Sequence, residues 1–422
     1  MTRFRWLIMS MIFLACVINF LDRCALAYVI QPIQELYHLN NTDFGLLSSA
    51  FGLSYLFMTF IGGILVDRYG SRKILTIFSI LWSIASACMG LINGFMSLLM
   101  LRLLLGVAEG PAFPSLTRVS SDWLPSQEKA RALALSLAAI PFSSVIGAPF
   151  ITKLMSLFGW RAMFLILGLF GIIWSIIWFI VFRDDPNQST FMSEQEKRWI
   201  ECGQSHRQQK PGQLKTLVKN KQLLMAYFSY FCLGYLLSFS ISWLPGYFIQ
   251  IHHLDLTSVG YYLMIPWLLA TVFILLGGVF SDYLFKRSQC FRNSRSMVIG
   301  ISQLFSAVCF IPLMSEPSLT NAVLCLSLGL SFGLFPISAF YSLNSDLAHH
   351  QAGTSQGLMS ACLGIASFIA PFLTGYLSTK QGHFNLAFLV IIILSLCSSK
   401  MMLFFHHPGK ALHKKKFNDL TI

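Results

Sequence analysis

The sequence predicts an all-α membrane protein of twelve transmembrane helices in two pseudo-symmetric six-helix bundles. Three observations lead there. Of the 422 residues, 55% are hydrophobic and 11% are charged, with a mean hydropathy of +0.66. A soluble domain carries about 25% charged residues, and a disordered chain is far less apolar. The apolar residues are gathered into long runs. The basic residues follow every second loop between those runs.

A helix needs about 20 apolar residues to cross a bilayer. Twelve runs meet that length, near 6–30, 44–66, 74–92, 95–119, 130–151, 162–182, 223–249, 258–280, 297–314, 319–343, 354–377 and 384–405. The first is too long, and too polar at its far end, for a cleavable leader, so it reads as a permanent helix. The loops are short except for the polar stretch 183–221, which contains Pro186, Pro211 and Gly212. The expected organisation is therefore a bundle over 1–182, a linker loop over 183–221, a second bundle over 222–405 and a basic tail over 406–422.

Lys and Arg number 30 against 17 Asp and Glu, a net charge of +13. With the N-terminus placed in the cytoplasm, 24 of the 30 cations fall in cytoplasmic segments and three (Lys153, Arg161, Lys380) on the other side. Arg23, Arg102 and Lys400 lie within runs. This positive-inside bias puts both termini in the cytoplasm. It also removes the need for a nucleic-acid partner, because the cations form no single patch. Eight of the ten cysteines sit in runs, and the other two, Cys202 and Cys290, sit in cytoplasmic loops, so no disulfide framework is expected. The histidines avoid the spans and form no metal-site spacing, so neither metal nor cofactor is expected.

The halves echo each other. Gly62-Gly63-Ile64-Leu65-Val66-Asp67 ends the second run and Gly277-Gly278-Val279-Phe280-Ser281-Asp282 ends the eighth. Ala148-Pro149-Phe150 in the fifth matches Ala370-Pro371-Phe372 in the eleventh. Parallel repeats of six spans build one large class of secondary transporters, with the substrate site near mid-membrane.

Few ionisable groups lie in the runs, and such groups mark pathways, proton sites or pairs. Asp22 and Arg23 are neighbours on the first run, about 100° apart, so they cannot share one target. Glu109 follows Arg102 by two turns on the fourth, with Gly106 and Gly110 beside the stripe. Dehydration and a nearby cation act in opposite senses on such a carboxyl, so its titration can fall in a physiological range, as proton coupling requires. The alternative is a static buried ion pair that fixes helix packing. Arg23 has the planar fork that suits a carboxylate. The loop Gly63-Ile64-Leu65-Val66-Asp67-Arg68-Tyr69-Gly70-Ser71-Arg72-Lys73 reads as a gate latch, with Gly63, Asp67, Arg68, Gly70 and Arg72, and Asp282 of the second half, acting on conformation without touching substrate.

That loop is similar to the signature loop of the major facilitator superfamily. Asn19-Phe20-Leu21-Asp22-Arg23 resembles the N-Y-x-D-R motif of its anion:cation symporter family, and 102–114 resembles that family's R-x-x-x-G-x-x-E-x-P-x-x-P. Trp123-Leu124-Pro125 with Glu128 and Arg131, and Phe158-Gly159-Trp160-Arg161, are similar to two further stretches. The family includes carriers of sugar acids, aromatic acids, sialic acid and glutamate. The resemblance implies that Asp22 and Glu109 take part in protonation, that Arg23 meets the anion and that Arg102 controls Glu109. Two positions depart from it. The stretch 137–142 has no amide where sugar-acid members carry one, and Ser360 stands where many have Asn. Tyr28, Tyr55, Tyr235, Ser238, Trp243, Tyr341 and Asn344 are further candidates to line the cavity.

The expected function is import of a small organic anion by proton symport with alternating access, by a functional monomer in a lipid bilayer. The alternatives are a carrier of a carboxylate-type metallophore or siderophore in either direction, then a drug antiporter, then a transporter-like sensor. No catalytic constellation lies in the runs, so an enzyme is not expected.

Overall fold

The computed structural model describes residues 4–203, 214–315, 317–348 and 352–408. The linker stretch 204–213 with His206, Arg207 and Lys210, the pair His349 and His350, Arg3, and the tail from 409 onward with Lys410, His413, Lys414, Lys415 and Lys416 lie outside the described residues. So do the side chains of Lys129, Arg131, Cys202 and Lys215.

Among the described residues, regular structure is helical and no strand occurs. Eleven helical stretches among the described residues are long and apolar enough to cross a bilayer: Phe4–Tyr28, Asn41–Tyr69, Ser71–Met89, Phe95–Trp123, Ser126–Val181, Lys221–His252, Leu256–Ser288, Arg292–Ser315, Leu319–Ala348, Thr354–Lys380 and Asn385–Phe405. The fifth of these holds two spans. Gly159 interrupts it at φ 79° and ψ 165°, a conformation that a side chain resists. Nothing lies within 4 Å of where its Cβ would be, so the glycine is needed for its backbone and not for space. Counted this way there are twelve spans.

Local chemistry sets the ends. Asn40 caps the second span through the Asp43 N–H, and the Asp43 side chain accepts from the Asn40 N–H in return. Gly70, at φ 85°, turns the chain between the second and third spans. The fourth span pauses where Phe95–Glu109 gives way at Gly110 and Pro111 to Ala112–Trp123. Large apolar side chains stay exposed along the helices, with Phe57 at 64%, Phe60 at 70% and Val279 at 72%. In water such surface would be unfavourable; against lipid tails it is not.

The helices cluster into two compact units. The first comprises Met1–Gln208, Ser238–Leu268 and Gly364–Phe384. Within it, glycines let helices approach closely. Gly168 and Gly171 of the sixth span face Ser83 of the third, and the Ser175 hydroxyl donates to Ser79 at 2.7 Å. At the sparsely charged end, Gly45 and Gly52 of the second span lie on the backbone of Pro371 and Ser367 of the eleventh. Thr42 donates through both N–H and hydroxyl to Thr379 at 2.9 Å. The Asn41 amide exchanges bonds with Gln250 at 3.1 and 3.2 Å and accepts from Gln34 at 2.8 Å. Trp243 donates to the Pro371 carbonyl at 3.0 Å and stands edge-on to Phe44. No charged side chain takes part in these bonds.

The second unit comprises Gln209–Leu237, Leu269–Leu363 and Asn385–Ile422. There the Ser306 hydroxyl donates to the Gly329 carbonyl at 2.7 Å and the Gln303 amide to that of Gly333 at 3.2 Å. The start of its ninth span and the end of its twelfth are both wound as short π segments, Arg292–Ser296 and Met401–Phe405. Next to them, the fully buried His406 bonds through Nδ1 to the Ser296 hydroxyl at 2.7 Å.

Candidate functional site

The first span places Asn19, Asp22 and Arg23 within one helical turn, and its pitch sends the last two to different neighbours. Arg23 turns to the fourth span, where its Nε donates to Glu109 Oε2 at 2.6 Å. Its guanidinium lies 4.7 Å from the Phe20 ring centre, 4.9 Å from Phe51 and 4.5 Å from Tyr55. Cation–π attraction at these distances holds the fork in place once water is excluded. Asp22 turns to the third span, where Ser86 donates to its Oδ1 at 2.6 Å. Arg102 does not bond to Glu109. Its Nε donates to the Leu47 carbonyl at 3.3 Å, and its guanidinium sits 5.1 Å from the Phe51 ring. Gly106 and Gly110 make the room foreseen for them, against Phe51–Tyr55 and Met58 of the second span.

Asn19, Asp22 and Arg102 are buried at 1–3% exposure and Glu109 at 0%, and the Arg23 side chain is 12% exposed. Each still has a polar atom with no protein partner. These atoms are Asn19 Nδ2, Asp22 Oδ2, Arg23 Nη2, Arg102 Nη1 and Glu109 Oε1. These five atoms lie on neighbouring residues of the first and fourth spans, where buried polar groups ordinarily find a partner in protein or water. The set brings two carboxyls and two guanidiniums together with one direct ion pair, Arg23–Glu109, and leaves a donor or acceptor of each without a hydrogen-bond partner.

Sequence reasoning did not single out Ser86, nor Phe20 and Phe51 as the faces on Arg23. The signal for Ser86 was present, because Ser79, Ser83 and Ser86 recur at helical spacing along one stripe of the third span. Tyr55 belongs to the cluster, whereas Tyr28 does not. Tyr28 lines a separate cavity of about 190 Å³ with Gln31, Glu35, Met155, Ile249 and Asp255. Asp255 accepts from the Thr257 and Ser258 N–H groups there, and the Ser258 hydroxyl together with these amides holds its carboxyl below the usual carboxylate range.

The latch residues gather at the basic end of the first unit. Asp67 pairs with Arg118 at 3.1 Å, and Arg118 also holds Asp122 at 2.6 Å. Arg72 donates its N–H to Asp184 and its guanidinium to the Phe179 carbonyl, tying the third span to the end of the sixth. Gly70 leaves the space that the Asp184 carboxylate occupies. Arg68 packs over Tyr69, and Gly63 faces open space. The fully buried Glu196 accepts from the backbone N–H groups of Phe4 and Arg5 and from the Arg5 guanidinium, which also reaches Glu128. In the second unit, Asp282 meets the buried Arg295 at 2.8 Å.

Three further candidates belong to the second unit. Asn344 accepts from Ser355 and donates to Gln356 at 3.3 Å, and Ser355 also bonds to the Tyr227 hydroxyl at 2.6 Å. Tyr341 meets Tyr230 hydroxyl to hydroxyl at 3.3 Å. Ser360 is half-buried on the eleventh span. Tyr227 and Ser355 were not legible from the sequence, because a tyrosine or serine in an apolar run carries no mark of its partner.

The sequence matches the Major Facilitator Superfamily over residues 12–371 and 294–420. It is 29% identical over 401 residues to the hexuronate transporter of Bacillus subtilis, covering 94% of this chain and 93% of that one. It is 30% identical over 404 residues to the probable galactarate/D-glucarate transporter GudP of the same organism, covering 91% and 88%. With the probable sulfoacetate transporter SauU of Cupriavidus necator it shares 29% identity over 389 residues, covering 92% and 90%. Among solved structures, a D-xylose–proton symporter matches the fold with a TM-score of 0.75 at 12% identity, covering 96% of this chain and 98% of that one. A bacterial homologue of the human lysosomal transporter Spinster matches with 0.74 at 18% identity, covering 96% and 94%. With its twelve helical spans, its 63–73 loop and its N-D-R and R-x-x-x-G-x-x-E motifs, the chain belongs to the major facilitator superfamily of membrane transporters, and within it resembles the anion:cation symporter family.

Proposed function

We propose that the protein imports a small organic anion together with protons, by alternating access, across a bacterial inner membrane with both termini in the cytoplasm. Arg23 receives the anion, and Glu109 and Asp22 carry the protons. The observation that supports this most is the Arg23–Glu109 pair at 2.6 Å, with Arg23 Nη2 and Glu109 Oε1 both unpartnered. A guanidinium bound to an internal carboxylate is unavailable to a second one. A proton on Glu109 removes its charge, and with it most of the attraction that holds Arg23. The freed fork then meets a carboxylate or sulfonate in the bidentate geometry that suits it. Proton and anion enter in one direction because each makes room for the other.

The hexuronate, galactarate/glucarate and sulfoacetate carriers among the relatives support an anionic substrate. Arg102 of the fourth span, bonded to the Leu47 carbonyl of the second, stiffens the site. Gly63, Asp67, Arg68, Gly70 and Arg72, with Asp282 in the second half, form latches at the cytoplasmic face that govern opening. The uncharged contacts of Asn41, Thr42, Gln250 and Thr379 close the opposite face. The transporter works as a monomer.

The test uses the purified protein in liposomes with an imposed pH gradient and a panel of hexuronates, aldarates and sulfoacetate. The wild type accumulates at least one of these. Glu109→Gln loses gradient-driven accumulation and keeps counterflow exchange. Normal accumulation by Glu109→Gln would overturn the assignment.

A further inference from the structure

Asp22 and Glu109 are equally buried, yet they are held differently. Glu109 has a guanidinium at 2.6 Å. Asp22 forms no ion pair among the described residues. Its Oδ1 accepts from Ser86 at 2.6 Å, and its Oδ2 has no partner. The behaviour of Ser86 sets it apart on its own helix. Hydroxyls in a helix normally bond back to a carbonyl three or four residues earlier. On the third span Thr76 bonds to Arg72, Ser79 to Thr76 and Ser83 to Ser79 in that way. Ser86 instead crosses to the first span.

The rotation that permits this is fixed by packing. Gly168 and Gly171 of the sixth span sit directly on Ser83, and Ser175 bonds to Ser79, so the serine stripe is locked against the sixth span. One turn further along, Ser86 is delivered to Asp22.

We propose that Ser86 is the positioning residue of Asp22, and that it makes the two carboxyl oxygens inequivalent. Oδ1 is held by the hydroxyl, and Oδ2 is the atom that takes up and releases the proton. This rests on the proton-coupled reading for its role in transport, but not for its geometry. The charged and titratable groups acting on Asp22 are Glu109 and Arg102 of the fourth span. Arg23 and Cys24 adjoin it on its own helix. The fifth span presents Ser144, bonded to Cys24, and Gly147 against Leu21, both uncharged. Ser86 is thus the donor through which the third span reaches the carboxyl.

Two measurements on the full-length protein test this. The first is difference infrared spectroscopy of the purified transporter in acidic buffer, with the Asp22 carbonyl band identified by its loss in Asp22→Asn. Ser86→Ala moves that band to higher frequency, and Ser86→Thr returns it. The second is the pH profile of gradient-driven uptake. The alkaline limb of that profile shifts in Ser86→Ala, with counterflow retained, and Ser86→Thr restores the wild-type profile. An Asp22 band unmoved in Ser86→Ala overturns the proposal. A band that moves in a wild-type background without gradient-driven uptake upholds the positioning and overturns the symport reading.

Discussion

Glu196, from the segment between the sixth and seventh spans, is fully buried against Arg5 at the start of the first. Its Oε1 lies 2.8 Å from the Arg5 guanidinium and 3.1 Å from the Arg5 backbone N–H, and its Oε2 lies 3.2 Å from the Phe4 N–H. A distant carboxylate thereby satisfies the amides of Phe4 and Arg5 in the first turn of the helix. Its negative charge also suits the positive end of the helix dipole. Removing one partner of a buried pair typically costs about 3–5 kcal/mol. Glu196→Ala is therefore expected to lower the thermal midpoint of the detergent-solubilised protein by several degrees. Arg5→Ala and the double variant should each come within a degree or two of Glu196→Ala, because the two groups act as one unit. Full additivity of the two losses would contradict this.

The aromatic faces around Arg23 make a second prediction. Lysine keeps the charge but loses both the planar fork and the stacking on Phe20, Phe51 and Tyr55. Arg23→Lys should weaken anion binding about tenfold or more, measured by substrate protection against thermal unfolding. Phe51→Leu should weaken it less. Unchanged binding in Arg23→Lys would place the anion elsewhere.

The uncharged contacts between the second and eleventh spans are open to cross-linking. The hydroxyls of Thr42 and Thr379 are 2.9 Å apart. In a background cleared of reactive thiols, Thr42→Cys with Thr379→Cys should form a disulfide on mild oxidation. Uptake should stop in that form and return on reduction. A Cβ at Gly52 would meet the backbone of Ser367 and Phe368 within 2.7 Å, so Gly52→Leu should suppress the cross-link. Because the bonds here involve amides and hydroxyls, cross-linking should change little between low and high salt. Full uptake by the oxidised pair would show that these helices need not part.

His406 lies just beyond the last span, and burial lowers its proton affinity to a pKa of about 4 from an ordinary 6.5. The folded state thus prefers the neutral ring, bonded to Ser296. Between those two values the unfolded chain binds a proton that the folded one refuses. Its contribution to stability is full above pH 6.5 and is lost as the pH falls toward 4. The thermal midpoint should fall over that window in the wild type and fall less in His406→Gln. Identical slopes would assign the acid sensitivity to other groups.

Much of the architecture was legible in sequence because the bilayer imposes a simple rule. Every backbone polar group must be satisfied within a helix, so a span declares itself by length and apolarity alone. Breaks were legible where glycine or proline punctuates the chain. Gly159 was visible within Phe158-Gly159-Trp160-Arg161 and proved to be the break between the fifth and sixth spans. The candidate charges were equally plain, since Asp22, Arg23, Arg102 and Glu109 stand almost alone in apolar surroundings.

Partners were another matter. Two residues on one stripe of one helix, Arg102 and Glu109, look paired, but the bond to Glu109 comes from Arg23 of a different helix, and Arg102 turns to the Leu47 carbonyl. Ser86, Glu196 and the rings on Arg23 acquire their roles through contacts 64 to 191 residues apart in sequence or through neighbouring helices. Composition and periodicity determined what this protein is made of: twelve spans, a sided distribution of charge and a few charged groups within the spans, Asp22, Arg23, Arg102 and Glu109 among them. Only the tertiary structure decided which of those groups face each other. Hydrophobicity acts on each segment separately, whereas an ion pair or a crossing hydrogen bond depends on how the helices rotate and pack, and small residues such as Gly106, Gly168 and Gly171 set that packing in three dimensions.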